Sequence, residues 1–213
     1  TLTNDYFLTQ VALTKNMKNY QLELESNPNH EHYNYLMNVP IINQNPEFPN
    51  GCEAASAVML LNYYGIEITL SDFIDKYLVQ QKVYEAEGKR FGPNPSIYYA
   101  GNPRNQKRGW GCFEPVIVNA LQKAIADTQK NTNIEVSIIR NDVKLPLTEY
   151  LLLEVPIMIW TTIDYGEVEE VYEWFSFDKK NTYTYPKNAH AIVITGNDDN
   201  YYYINKKIKN DNL

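Results

Sequence analysis

The run from Gln44 to Gly65, QNPEFPNGCEAASAVMLLNYYG, constrains the fold more than any other part of this chain. Pro46 and Pro49 keep the backbone extended and remove two donors ahead of a helix. Asn50 is expected as the N-cap, and Gly51 leaves the space beside Cys52 uncluttered. From Ala54 to Leu61 only Ser56 interrupts an apolar sequence, and a helix apolar nearly all round is a buried one. Its small residues, Ala54, Ala55, Ser56 and Ala57, allow a sheet or a second helix to approach closely. Gly65 is placed for a left-handed C-cap. The rest of the chain has to enclose this helix.

The same run puts a thiol in the first turn. There Cys52 faces unpaired N–H groups and the positive end of the helix dipole, an environment that favours thiolate. A nucleophile also needs a base and an oxyanion donor from elsewhere in the chain. The alternatives are an ordinary buried cysteine or one half of a disulfide with Cys112, the other cysteine of the chain.

With 213 residues, 44% of them hydrophobic, the chain is long enough to fold around its own core without a disulfide. Its net charge of −7 argues against a nucleic-acid partner. No apolar run approaches the length of a membrane-spanning helix. Residues 1–36 read as an N-terminal extension, with Val11, Leu13, Met17 and Tyr20 spaced for a helix and Tyr20, Leu22 and Leu24 alternating like a strand. His30 and His32 lie in a turn-rich stretch with no accompanying carboxylate or cysteine cluster, so a solvated loop is expected and no metal or other cofactor is assigned.

Downstream, Thr69-Leu-Ser-Asp72 has the form of a capping box and predicts a second helix to about Lys82. Residues 83–112 are rich in Gly and Pro, read as a long loop, and end in Gly109-Trp110-Gly111-Cys112-Phe113. Trp110, between two glycines, is a candidate pocket wall or a structural plug. Pro115 opens a third helix. Ile134–Arg140 alternates as a strand, Leu147–Leu153 reads as a short helix, and Val155–Ile163 as a buried strand. Residues 164–188, acidic and aromatic, predict a long hairpin or a flap. His190–Thr195 and Tyr201–Asn205 flank a clear turn signal, Gly196-Asn-Asp-Asp-Asn200. Helices first and strands later give an α+β class.

His190 opens an apolar strand, where an imidazole needs a partner or solvent. Across the predicted hairpin, the start of that strand faces the end of the next, so Asn205 is in position to orient the ring. On these residues the chain resembles the papain-fold cysteine peptidases, and most closely the branch that looks like the bacteriocin-leader (double-glycine) peptidases. The matching blocks are Val39-Pro40, Asn43-Gln44 and Gly51-Cys52-Glu53, then Gly109–Phe113, then Ala189-His190 with Gly196-Asn-Asp-Asp and Tyr-Tyr-Tyr-Ile-Asn205.

The resemblance spans Met37 to Asn205. It implies a papain-like domain over 37–213, with an N-terminal helical part around the buried catalytic helix and a C-terminal antiparallel sheet. It further implies Cys52 as nucleophile, His190 as general base and acid, Gln44 as an oxyanion donor, and Asn205 as the residue orienting His190. Trp110 and Gly51 become substrate-binding candidates, and the partner becomes a peptide or protein substrate. Lys206 stands where nearer relatives carry an orienting Asp, and a lysine cannot accept a hydrogen bond. The competing expectation is a catalytically silent papain-like domain that binds peptides. A chain that begins without Met has either lost a targeting segment or been trimmed, and the first alternative suits a secreted or cell-envelope protein of a bacterium. Oligomeric state is left open.

Overall fold

The computed structural model describes residues 10–15, 35–128, 133–139, 147–163, 165–168, 170–198 and 201–205. The elements in chain order are β1 (Gln10–Lys15), β2 (Tyr35–Leu36), α1 (Cys52–Tyr63), α2 (Leu70–Lys76), β3 (Gln80–Gln81), β4 (Tyr84–Ala86), β5 (Lys89–Phe91), β6 (Tyr99–Gly101) and β7 (Gly109–Gly111). They continue with α3 (Glu114–Asp127), β8 (Ile134–Ile139), α4 (Leu147–Leu152), β9 (Ile157–Thr162), β10 (Val171–Phe175), β11 (Thr182–Pro186), β12 (Ala189–Asn197) and β13 (Tyr202–Asn205). The class is α+β.

Helix α1 is the buried centre. Every residue from Glu53 to Leu61 is buried, as the apolar sequence requires, and α1 lies against β12, α2 and α3. Its exit is a Schellman turn: the Gly65 N–H donates to the Asn62 carbonyl and the Ile66 N–H to the Leu61 carbonyl, each at 3.0 Å. Gly65 has φ +76°, the conformation that residue favours. Its start differs from expectation. Gly51 is the N-cap and no side chain caps it. Asn50 instead turns its amide outward to the Asn105 and Gln106 carbonyls at 2.8 and 3.2 Å, while its own carbonyl accepts from the Tyr99 hydroxyl at 2.6 Å. The residue in the cap position thus ties the loop to β6 and the turn after it.

The Thr69 cap forms as read, its hydroxyl oxygen accepting from the Asp72 N–H at 3.0 Å. The helix stops at Lys76, short of Lys82, because the Val79 carbonyl accepts from the Tyr99 N–H at 2.9 Å and β3 then pairs with β6. Nor is 83–112 structureless. It supplies β4 to β7, four short strands that local periodicity is too brief to reveal.

Three sheets result. The principal one runs β13-β12-β9-β1-β8 with β2 also on β12, and every pairing in it is antiparallel. Its β1 comes from the segment read as an extension and lies between β9 and β8. A second sheet, β11-β10-β5-β4, contains the hairpin expected within 164–188. The third, β3-β6-β7, contains Gly109-Trp-Gly as its strand β7. The main core joins α1, α2, α3 and the principal sheet. A smaller cluster of Val83, Ala100, Trp174 and Tyr185 forms under the second and third sheets. The expectations stated for His30, His32 and Lys206 concern positions outside the described residues.

Candidate active site

Cys52 is the first residue of α1, delivered there by a tight loop. The Phe48 N–H donates to the Gln44 carbonyl at 2.7 Å and the Gly51 N–H to the Phe48 carbonyl at 3.0 Å. Gly51 is enclosed, since a Cβ there would lie 2.8 Å from that of Phe48. It therefore shapes the loop from inside. Gln44 is half-buried on the same loop, its Nε2 donating to the Pro49 carbonyl at 3.3 Å, which leaves its second N–H for another acceptor. Both cysteines are free, so the disulfide alternative does not hold.

The second half of the site arrives on β12, whose residues Ala191 to Gly196 are buried against α1. That strand packs on α1, whose first residue is Cys52, with the Ala191 backbone near enough to the thiol to favour its anion. His190, one residue earlier, lies opposite Thr161 of β9 near the start of β12.

Sequence reading missed the group closest to the nucleophile. Glu53 is a carboxylate 2% exposed in the first turn of a helix otherwise almost wholly apolar. The Cys52 thiol donates to its Oε2 at 3.2 Å. Its Oε1 accepts from the Tyr185 hydroxyl of β11 at 2.9 Å and from the Cys112 backbone N–H at 3.1 Å. The clue in the sequence was Glu53 itself, a lone charge opening a run that must be buried, because such a charge requires dedicated partners.

These contacts overturn the expected electrostatics of Cys52. Burial raises the thiol well above its ordinary range, and the facing Glu53 carboxylate adds to the rise. The nearby backbone of Ala191 and of Glu53 acts in the opposite direction and is outweighed. Burial likewise raises Glu53, against the hydrogen bonds that favour its anion. Tyr185 is pushed far up by burial and then by Glu53, so it remains a donor. The Cys112 thiol, fully buried, is raised mainly by burial.

A sequence profile of the Peptidase_C39 like family matches residues 36–211. The chain belongs to that family. Among curated proteins, the uncharacterized protein YvpB of Bacillus subtilis (strain 168) is 26% identical over 163 residues, covering 75% of this chain and 59% of that protein. The chain thus spans less than two thirds of that relative's length. A crystal structure from Bacillus anthracis, described by its likeness to C39 peptidases, superposes with a TM-score of 0.61 at 21% identity, covering 84% of this chain and 85% of that one. The papain-like α+β class expected from the sequence is the fold these matches share.

Not every expected member of this C39-like site comes together. Asn205 pairs with Val193, three positions along β12 from His190, so strand alternation puts its side chain on the opposite face of the sheet. Its amide donates to the Val39 carbonyl at 2.8 Å, tying down the segment ahead of the Gln44 loop. Trp110 sits edge-on to Tyr172, with ring centroids 6.1 Å apart, and tilted toward Trp174 at 6.5 Å. The ring closes the smaller aromatic cluster, the plug alternative, while keeping partial exposure. A cavity of about 520 Å³ is lined by Asn62, Thr69, Tyr77 and Asp127, near the exit of α1 rather than at Cys52. Among the described residues no three-residue group of His, Cys, Asp and Glu could hold a metal ion, and no helix is long and apolar enough to cross a membrane.

Proposed function

We propose that this chain is a cysteine peptidase or amide hydrolase in which Cys52 attacks a peptide carbonyl. The observation that carries the reading is the placement of Cys52 in the first turn of α1, packed against β12, the strand on which His190 lies. In the proposed reaction His190 takes the thiol proton, and the thiolate forms a carbon–sulfur bond to the carbonyl carbon. The Cys52 N–H and the free N–H of Gln44 hold the oxyanion. His190 returns the proton to the leaving amine, and water hydrolyses the thioester. The site then works as a Cys–His pair, with Asn205 outside it.

Hydrolysis of a peptide library by the purified chain tests the reading. Cys52→Ala and His190→Ala should abolish cleavage, and Gln44→Ala should lower turnover on the order of 10²–10³. A second reading is a peptide-binding module without turnover, and the thiol hydrogen-bonded to Glu53 favours it. Peptide affinity that survives Cys52→Ala, with no cleavage by the parent, would replace the first reading with the second.

A further inference from the structure

Glu53 is the buried titratable group that the reaction above does not use. Its two oxygens have different surroundings. Oε1 already accepts from the Tyr185 hydroxyl and the Cys112 N–H, so a proton on the carboxyl has to sit on Oε2. Oε2 faces the Cys52 sulfur at 3.2 Å. One proton therefore lies on the line between Sγ and Oε2, shared as thiol with carboxylate or as thiolate with carboxylic acid. A buried carboxylate and a half-buried thiolate this close oppose each other's ionisation, and the two titrate as a pair.

Other elements fix this pair from every side. Tyr185 comes from β11 and Cys112 follows β7. Tyr99 of β6 is fully buried nearby with its hydroxyl on the Asn50 carbonyl, and His190 lies on β12, the strand packed on α1. Gly111, at φ +140°, allows the Cys112 N–H to reach Glu53, because a Cβ there would meet Glu53 Oε1 at 2.5 Å. The GWGCF segment and the hairpin strand β11 thus converge on one carboxylate.

We propose that Glu53 is a positioning residue that shares the Cys52 proton and keeps the thiol protonated in the resting site. The proposal rests on the reading of Cys52 as the nucleophile and adds how that nucleophile is held in check. Thiolate then forms when an incoming substrate and His190 draw the proton away, and the helix N-terminus alone does not produce it.

The test is the pH dependence of iodoacetamide labelling, read separately at Cys52 and Cys112 by peptide mass spectrometry. In the parent, the Cys52 midpoint should lie above that of a free thiol, about 8.5. Glu53→Gln keeps the shape. Its carbonyl oxygen can accept from Tyr185 and Cys112 while its NH₂ donates toward sulfur, so the neighbouring anion becomes a donor. The midpoint should then fall. Each unit of fall gives tenfold more thiolate and about threefold lower intrinsic nucleophilicity, so labelling at pH 7 rises about threefold per unit. Cys112 should stay unreactive in both proteins, which separates a change in the pair from a loosened fold. A parent midpoint in the acid range, or a Glu53→Gln midpoint that is unmoved or higher, overturns the proposal. Alkylation does not require turnover, so a failure here leaves the hydrolase reading standing, and a chain without turnover still reports on the pair.

Discussion

Substituting Gly111 by alanine tests whether the glycine that ends β7 is there to bring a backbone donor to Glu53. The Cβ would lie 2.4 Å from both Cζ and the hydroxyl oxygen of Tyr185 and 2.5 Å from Glu53 Oε1. Reaching ordinary contact requires a retreat of roughly 1 Å, which takes the Cys112 N–H from 3.1 Å beyond hydrogen-bond range of Oε1. A buried hydrogen bond to a charged group contributes about 1.5–3 kcal/mol. Forcing a non-glycine residue to the φ of +140° adds about 1–3 kcal/mol. Because one movement relieves part of both, the expected loss is about 3–5 kcal/mol, a large share of the roughly 5–15 kcal/mol of a typical domain. Gly65→Ala supplies the comparison. It too has positive φ, +76°, but nothing lies within 4 Å of the added Cβ, so only the backbone cost of about 1–2 kcal/mol remains. Equilibrium unfolding in urea measures both. A Gly111→Ala variant no less stable than Gly65→Ala would refute this account of the glycine.

Two further outcomes follow from named contacts. Arg104 pairs with Asp75 at 2.7 Å, lies 3.6 Å from Glu47, and stacks over Phe48 at 4.6 Å; all three ion-pair side chains are partly exposed, so Arg104→Met should cost only about 1 kcal/mol at pH 7. Asp75 is held below the ordinary carboxylate range, first by the Arg104 hydrogen bond, so its share is present above an unfolded pKa of about 3.9 and is lost as pH falls through the folded value; parent and variant should converge there, and a gap unchanged at low pH in thermal unfolding would count against it. Asn205→Ala should cost about 1 kcal/mol through the unpaired Val39 carbonyl and leave the pH–rate profile of any peptide hydrolysis in place; a shifted profile would return Asn205 to the site.

The sequence was most informative where one local rule sufficed. Thr69 caps its helix, Gly65 closes α1, and the apolar run from Ala54 to Leu61 is buried because such a helix has no other stable place. It was least informative where a residue is defined by what converges on it. Asn50 is a good N-cap by type, yet the carbonyls of residues 105 and 106, more than fifty positions away, claim its amide. The strands β4 to β7 are three residues each, too short for alternation to register, and each is fixed by a partner strand. Glu53 was quoted beside Cys52 as part of a motif, but its weight comes from Tyr185, 132 positions later. A helix N-terminus argues for a thiolate only when its surroundings are open and neutral, and here burial and a carboxylate reverse the sign.

Asn205 shows how small a feature can redirect a site. In the β12–β13 hairpin, Asn197 pairs with Tyr202 and Gly196 with Tyr203. Continuing that register would set Asn205 against Ile194, on the face that alternation shares with His190. The register instead shifts between Ile194 and Gly196, so Ile204 meets Ile194 and Asn205 meets Val193. One extra residue on a strand reverses the face of everything beyond it. The shift has a visible companion at Thr195, whose carbonyl accepts from the Met37 N–H at 2.8 Å, joining the segment after β2 to the same point of β12. The residue that strand spacing nominated to orient His190 is thus turned to Val39, where its amide fastens the backbone that leads into the Gln44 loop. Its influence on catalysis would run through the placement of Gln44 and would be read in turnover, whereas an orienting partner of His190 would change the pH at which turnover begins.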